Sequence, residues 1–214
     1  MFDHETILVL APHTDDGELG AGASISRWIK EGRRVVYAAF SSCQDAIPGG
    51  WPKDILESEV KAATLKLGIP PSDLHILDFQ VRRFSERRQD VLDAMIGLRN
   101  SIRPSLVLLP ARSDMHQDHS VVHQEGVRAF KQFSILGYEL PWNNIDFTSS
   151  FFSVLHEREV REKIEALREY KSQANRKYFA EEFQFAQMRF RGTQIGEEFA
   201  EVFELVRAVS RPAS

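Results

Sequence analysis

Three stretches, TILVLA (Thr6–Ala11), RVVYAAFS (Arg34–Ser41) and SLVLLPA (Ser105–Ala111), are apolar at nearly every consecutive position. A strand with one wet face alternates apolar and polar residues. A run that does not alternate suits a strand covered on both sides, as in a parallel sheet sandwiched between helices. Helical segments lie between the runs. Glu18–Glu31 carries Leu19, Ala23, Ile25, Trp28 and Ile29 and stops at Gly32, and Ile55–Leu67 stops at Gly68. Gln89–Ile102 ends before Pro104, and His119–Phe133 reads as a further helix. His75–Phe79 and Phe151–Leu155 read as short strands and Glu157–Ser172 as a charged amphipathic helix. Ala180–Arg191 is ambiguous, and Phe199–Val209, which mixes apolar residues with glutamates, fits a helix or an edge strand. Strands alternating with helices predict an α/β protein with three α/β/α layers and a mostly parallel, Rossmann-like sheet. No repeat, low-complexity tract or linker interrupts the 214 residues, so 1–214 reads as one domain.

In such a sheet, ligands bind beyond the carboxyl ends of the strands. The first strand runs into His13-Thr14-Asp15-Asp16 and then a glycine-spaced helix start, LVLAPHTDDGELGAG from Leu8 to Gly22. One imidazole and two carboxylates crowd into four residues there. Asp15 or Asp16 could cap the following helix, but a cap uses one residue, not three. Gly17, Gly20 and Gly22 give G-x-x-G-x-G rather than the dinucleotide fingerprint G-x-G-x-x-G, and the paired aspartates would repel a phosphate.

A second cluster follows the strand Leu106–Leu109. In PARSDMHQDHSVVH, His116, Asp118, His119 and His123 lie within eight residues. Three of the six histidines other than His13 fall in this one stretch. Two strand ends of one sheet can face the same crevice, so the clusters can converge. Imidazole and carboxylate ligands suit zinc, and a catalytic zinc keeps three protein ligands and one open position. A neighbouring carboxylate could then take a proton, and a further histidine could face an oxyanion. A turn-rich loop, Asp45–Lys53, also follows a strand; its Trp51 fits either a stacking surface for substrate or a packing anchor.

Composition excludes other classes. A net charge of −4 and a pI near 6.0 argue against nucleic acid. The single cysteine, Cys43, rules out an internal disulfide framework and reads as a small buried residue at a strand end. The N-terminus MFDHETILVL lacks the pattern of a signal peptide, and no apolar run is long enough for a membrane span. A cytoplasmic protein is expected, and a homo-oligomer is compatible with the sequence.

The two clusters, in this order, resemble those of the PIG-L/LmbE-like family of zinc-dependent N-deacetylases. The family's Ala-His-Pro-Asp-Asp-Glu motif is similar to His13–Glu18, and its His-Pro-Asp-His motif to His116–His119. Glu59–Gly68, Lys163–Gln173 with its Ser172-Gln173 pair, and Phe199–Arg207 extend the similarity along the chain. Thr14 and Gln117 replace the motif prolines. Leu56 stands where the family often has an arginine, a candidate substrate contact. The resemblance implies one zinc per chain on His13, Asp16 and His119. It implies Asp15 as general base acting on a zinc-bound water, His116 facing the oxyanion, and Asp118 as the partner that keeps His116 charged. It implies as partner a small N-acetylated sugar or glycoconjugate; a non-sugar amide is the alternative. It assigns no role to His123, which reads as a helix-surface residue or a partner of a ligand.

Overall fold

A computed structural model describes residues 5–210; the N-terminal residues 1–4, part of the stretch read for a leader, lie outside them, as do 211–214. The expected strands form where the apolar runs are: β1 (Thr6–Ala11), β2 (Arg34–Ala39) and β4 (Leu106–Pro110), with β3 (Leu74–Ile76) shorter than expected. The helices are α1 (Asp16–Lys30), α2 (Ile55–Lys66), α3 (Arg88–Ile102), α4 (Gln117–Ala129), α5 (Glu157–Leu167) and α6 (Glu181–Thr193). The ambiguous segment is thus helix α6.

The sheet has seven strands in the order β3-β2-β1-β4-β5-β7-β6, where β5 is Ser134–Tyr138, β6 is Phe151–Leu155 and β7 is Phe199–Arg207. β1, β2, β3, β4 and β5 run parallel, and β7 is antiparallel to both its neighbours. The fold is therefore the expected three-layer α/β/α arrangement on a mostly parallel sheet. Strand periodicity sorts the core into two layers. Ile7, Val9 and Ala11 point to Leu19, Ile25 and Trp28 of α1, Val60 of α2 and Leu167 of α5. Leu8 and Leu10 point the other way, to Val91 and Met95 of α3 and Val122 of α4.

Two elements depart from the sequence reading. β5 was not expected at all. β7 is neither helix nor edge strand; it lies inside the sheet between β5 and β6. Its glutamates suggested solvent, but Glu201 is buried against α1. Its carboxylate accepts the N–H groups of Ala23 (3.1 Å) and Ser24 (2.7 Å) and pairs with the Lys163 ammonium at 2.9 Å. A buried carboxylate supplied with that many donors no longer needs water.

The chain leaves β1 toward β2 and β3, then returns to β4 on the other side of β1. That reversal opens a crevice beyond the carboxyl ends of β1 and β4. No helix among the described residues is long and apolar enough to cross a membrane.

Candidate active site

The turn after β1 is gripped from below. The Tyr37 hydroxyl, on β2, accepts the Gly17 N–H at 3.0 Å and lies 2.9 Å from the Thr14 carbonyl oxygen. The Tyr170 hydroxyl reaches the same carbonyl at 2.7 Å. Both hydroxyls also meet the buried Glu18 carboxylate, Tyr170 at 2.9 Å. Two phenolic protons cannot fill the four contacts made with Thr14 and Glu18, and a proton on Glu18 supplies a third. Burial pushes that carboxyl up to about 8, consistent with a neutral acid. The glycine spacing serves this packing. A Cβ on Gly17 would lie 2.4 Å from the Tyr37 ring, and one on Gly20 would lie 2.4 Å from the Tyr138 ring.

The two clusters do meet. His13 Nδ1, Asp16 Oδ2 and His119 Nε2 form a triangle with sides of 3.1, 3.2 and 3.1 Å. The far nitrogen of each ring faces a carboxylate: His13 Nε2 lies 3.0 Å from Asp118 Oδ2, and His119 Nδ1 lies 2.8 Å from Asp114 Oδ2. An imidazole that gives its N–H to a carboxylate turns a bare lone pair to the other side. Two such lone pairs and a carboxylate oxygen therefore face one another. The arrangement suits a cation, since tetrahedral ligands about 2.0–2.1 Å from zinc sit roughly 3.3 Å apart. The local potential agrees. Burial alone would raise the Asp16 carboxyl, but His119 and His13 hold it well below the usual range. Burial disfavours a charged His119 ring, yet Asp16 and Asp114 lift it to about 10. His13 is likewise raised, by Asp16 and Asp118 against burial.

His116 stands at the rim of the triangle, and ligand atoms of His13, His116 and His119 fall within 4.8 Å of one another. It is the N-cap of α4, and its Nδ1 accepts the Asp118 N–H at 3.2 Å. That leaves the ring proton of a neutral His116 on Nε2. Burial and the two neighbouring histidines push this imidazole down to about 4. One expectation is corrected here. Asp118 is not the partner of His116 and does not keep it charged. At the second position of α4 its carboxylate crosses to His13 and takes the Arg82 N–H (2.6 Å) and the Phe84 N–H (3.3 Å). His116, not Asp118, caps α4. Arg82 presents its amide from a left-handed φ of 65°, a backbone strain of the kind that collects at functional sites.

Asp15 is half-buried and lines the cavity. Burial and the charge of Asp16 push its carboxyl up to about 6, against the pull of Arg176 and His13. The cavity, about 200 Å³, is also lined by Leu19, Cys43, Ala46 and Leu56 and by Trp142, Gln173, Arg176 and Tyr178. Trp51 is 41% exposed and does not line it, so the expected substrate-stacking role is not supported. The aromatic wall comes instead from Trp142, stacked on Tyr178 at 4.0 Å and 8°. Cys43 is buried as expected, and burial pushes its thiol up to about 12, which makes it no nucleophile. His123 is not a surface residue; it is buried, and its Nδ1 lies 2.8 Å from the Pro110 carbonyl oxygen. The sequence reading missed Asp114, whose signal was a carboxylate five residues before His119. It also missed the 142–178 wall, for which no signal existed.

Residues 8–130 match the family described as PIG-L: GlcNAc-PI de-N-acetylase. The chain is 30% identical over 175 residues to the uncharacterized deacetylase YaiS of Escherichia coli (strain K12), covering 78% of this chain and 90% of that one. The solved N,N′-diacetylchitobiose deacetylase of Pyrococcus horikoshii is similar with a TM-score of 0.78, over 94% of this chain and 84% of that one, at 19% identity. The 4-carboxy-2-hydroxymuconate hydratase GalB of Pseudomonas putida KT2440 is similar with a TM-score of 0.77, over 98% of this chain and all of that one, at 17% identity. These two likenesses concern the fold, and a fold does not carry one reaction.

Proposed function

The chain belongs to the PIG-L family of de-N-acetylases, and from that membership we propose that it removes an N-acetyl group from an amino sugar or sugar conjugate by zinc-assisted hydrolysis. The observation that carries the reading is the triangle of His13, Asp16 and His119, each ring backed by a carboxylate, with Asp15 alongside. His13, Asp16 and His119 would hold one zinc ion per chain. When bound, the ion supplies Lewis acidity, drawing the pKa of a water toward about 7 and polarising the amide carbonyl.

The remaining work falls to the chain. Asp15 takes the proton of the attacking water and returns it to the departing amine. A carboxyl near 6 suits both directions, because it is basic at neutral pH and still a usable acid. His116 acts as a neutral donor: its Nε2–H faces the oxygen that becomes negative in the tetrahedral intermediate. This differs from the charged imidazolium implied by the resemblance, and it follows from the cap hydrogen bond that occupies Nδ1. Asp118 and Asp114 orient the two ligand rings. The stacked pair Trp142–Tyr178 offers an apolar face to a sugar ring.

The test is acetate release from a panel of N-acetylated amino sugars, glycosides and non-sugar amides by the zinc-loaded protein. Turnover of sugar substrates alone supports the reading. Turnover of simple amides alone replaces it with the non-sugar alternative, and no acetate from any of them rejects it.

A further inference from the structure

The stretches Glu59–Gly68 and Lys163–Gln173 belong to the family resemblance, yet neither supplies a residue to the proposed chemistry. In the structure they lock together. Glu59, on α2, is 4% exposed. Its Oε1 accepts the Ser172 N–H at 2.8 Å, and its Oε2 accepts the Ser172 hydroxyl at 2.6 Å. The same hydroxyl oxygen accepts the Gln173 Nε2–H at 2.9 Å. Ser172 and Gln173 are buried too. One serine hydroxyl thus spends its proton on Glu59 and a lone pair on Gln173.

This latch stands at the root of the aromatic wall. Ser172 and Gln173 form a short 3-10 turn, Lys171–Gln173. The chain then runs through a hydrogen-bonded turn, Arg176 N–H to the Gln173 carbonyl at 2.9 Å, to Tyr178. The Arg176 guanidinium is hydrogen-bonded to the Tyr178 hydroxyl. Gln173, Arg176 and Tyr178 all line the cavity. The wall is therefore pinned at one end by Glu59 and Ser172 and at the other by the stack of Tyr178 on Trp142. Among the described residues, no hydrogen bond joins Glu59, Ser172 or Gln173 to His13, Asp16 or His119.

We propose that the Glu59–Ser172–Gln173 latch is a positioning device for the substrate-contacting wall, and that it sets substrate affinity without contributing to metal binding or to the bond-breaking step. Removing the hydroxyl takes away two hydrogen bonds and leaves the wall free to shift. In its part concerning affinity the proposal rests on the hydrolase reading above. Its mechanical part does not.

The experiment uses the full zinc-loaded chain with Ser172→Ala and, as a second variant that keeps the side-chain length, Glu59→Gln. Hydrogen–deuterium exchange is followed in peptides spanning 174–180, zinc affinity by chelator competition, and KM and kcat with the best substrate of the panel. We expect faster exchange confined to 174–180, zinc affinity unchanged, and KM raised about tenfold in Ser172→Ala with kcat within about twofold, a loss in the range of one or two buried hydrogen bonds. Glu59→Gln should show the same pattern more weakly. Unchanged exchange in 174–180, or a fall in zinc affinity or kcat with KM constant, overturns the proposal. If the unaltered protein releases no acetate, the hydrolase reading fails by itself, and exchange together with zinc affinity still decides whether the latch holds the wall.

Discussion

Asp118 Oδ2 lies 3.0 Å from His13 Nε2, across 105 positions of sequence. The carboxylate next to one proposed ligand, His119, thus orients the other, and each cluster completes the opposite one. We expect Asp118→Asn to lower zinc affinity about 10–100-fold, the usual cost of losing such a partner. Chelator competition measures it. A variant with undiminished affinity would leave Asp118 as a loop anchor for the Arg82 and Phe84 amides only.

Asp15→Asn should keep zinc and lose a factor of about 10²–10⁴ in kcat. A base works when deprotonated, so in the unaltered enzyme kcat/KM rises as pH rises through the Asp15 pKa and is flat above it. Burial and Asp16 put that carboxyl at about 6, and a bound cation can only pull it lower. The acidic limb is therefore expected at or below pH 6 and should vanish in the residual activity of Asp15→Asn. A limb that persists there belongs to another group.

His116→Ala should cut kcat by about 10²–10³, the usual loss for one oxyanion donor, with zinc affinity unchanged. Because the ring is pushed down to about 4, its deprotonation lies below the working range. No alkaline limb should therefore report His116. An alkaline limb that disappears in His116→Ala would restore the charged-imidazolium role.

Glu18 predicts a stability effect. Burial pushes its folded carboxyl up to about 8, while an unfolded glutamate titrates near about 4.3. Between those values the folded state binds more protons than the unfolded one, so this group's contribution falls as pH rises and levels off above about 8. Glu18→Gln removes the titration and can still serve both tyrosines. Its Tm should gain on that of the unaltered protein as pH is raised from about 5 to 8. Parallel Tm curves would mean that Glu18 is not a proton-holding acid.

Apolar runs without alternation demanded a covered sheet, and Thr6–Ala11, Arg34–Ala39 and Leu106–Pro110 are strands as the sequence predicts. The same logic placed His13–Asp16 and His116–His119 beyond two strand ends. Polarity that is satisfied only at long range was not legible. Glu201 looks solvent-seeking until Lys163 and the amides of α1 are brought to it. The short run Ser134–Tyr138 has no local signal strong enough to set it apart as a strand.

Local sequence thus determined the buried central strands and which chemistry-bearing residues lie beyond their ends, because burial period and strand-end position are properties of neighbouring residues. Pairing was decided only by the tertiary structure. A carboxylate selects its partner by which donors come within hydrogen-bond distance, and that depends on how strands 100 residues apart are laid side by side. Hence Asp118 serves His13 rather than His116, Asp114 serves His119, and Glu59 holds Ser172.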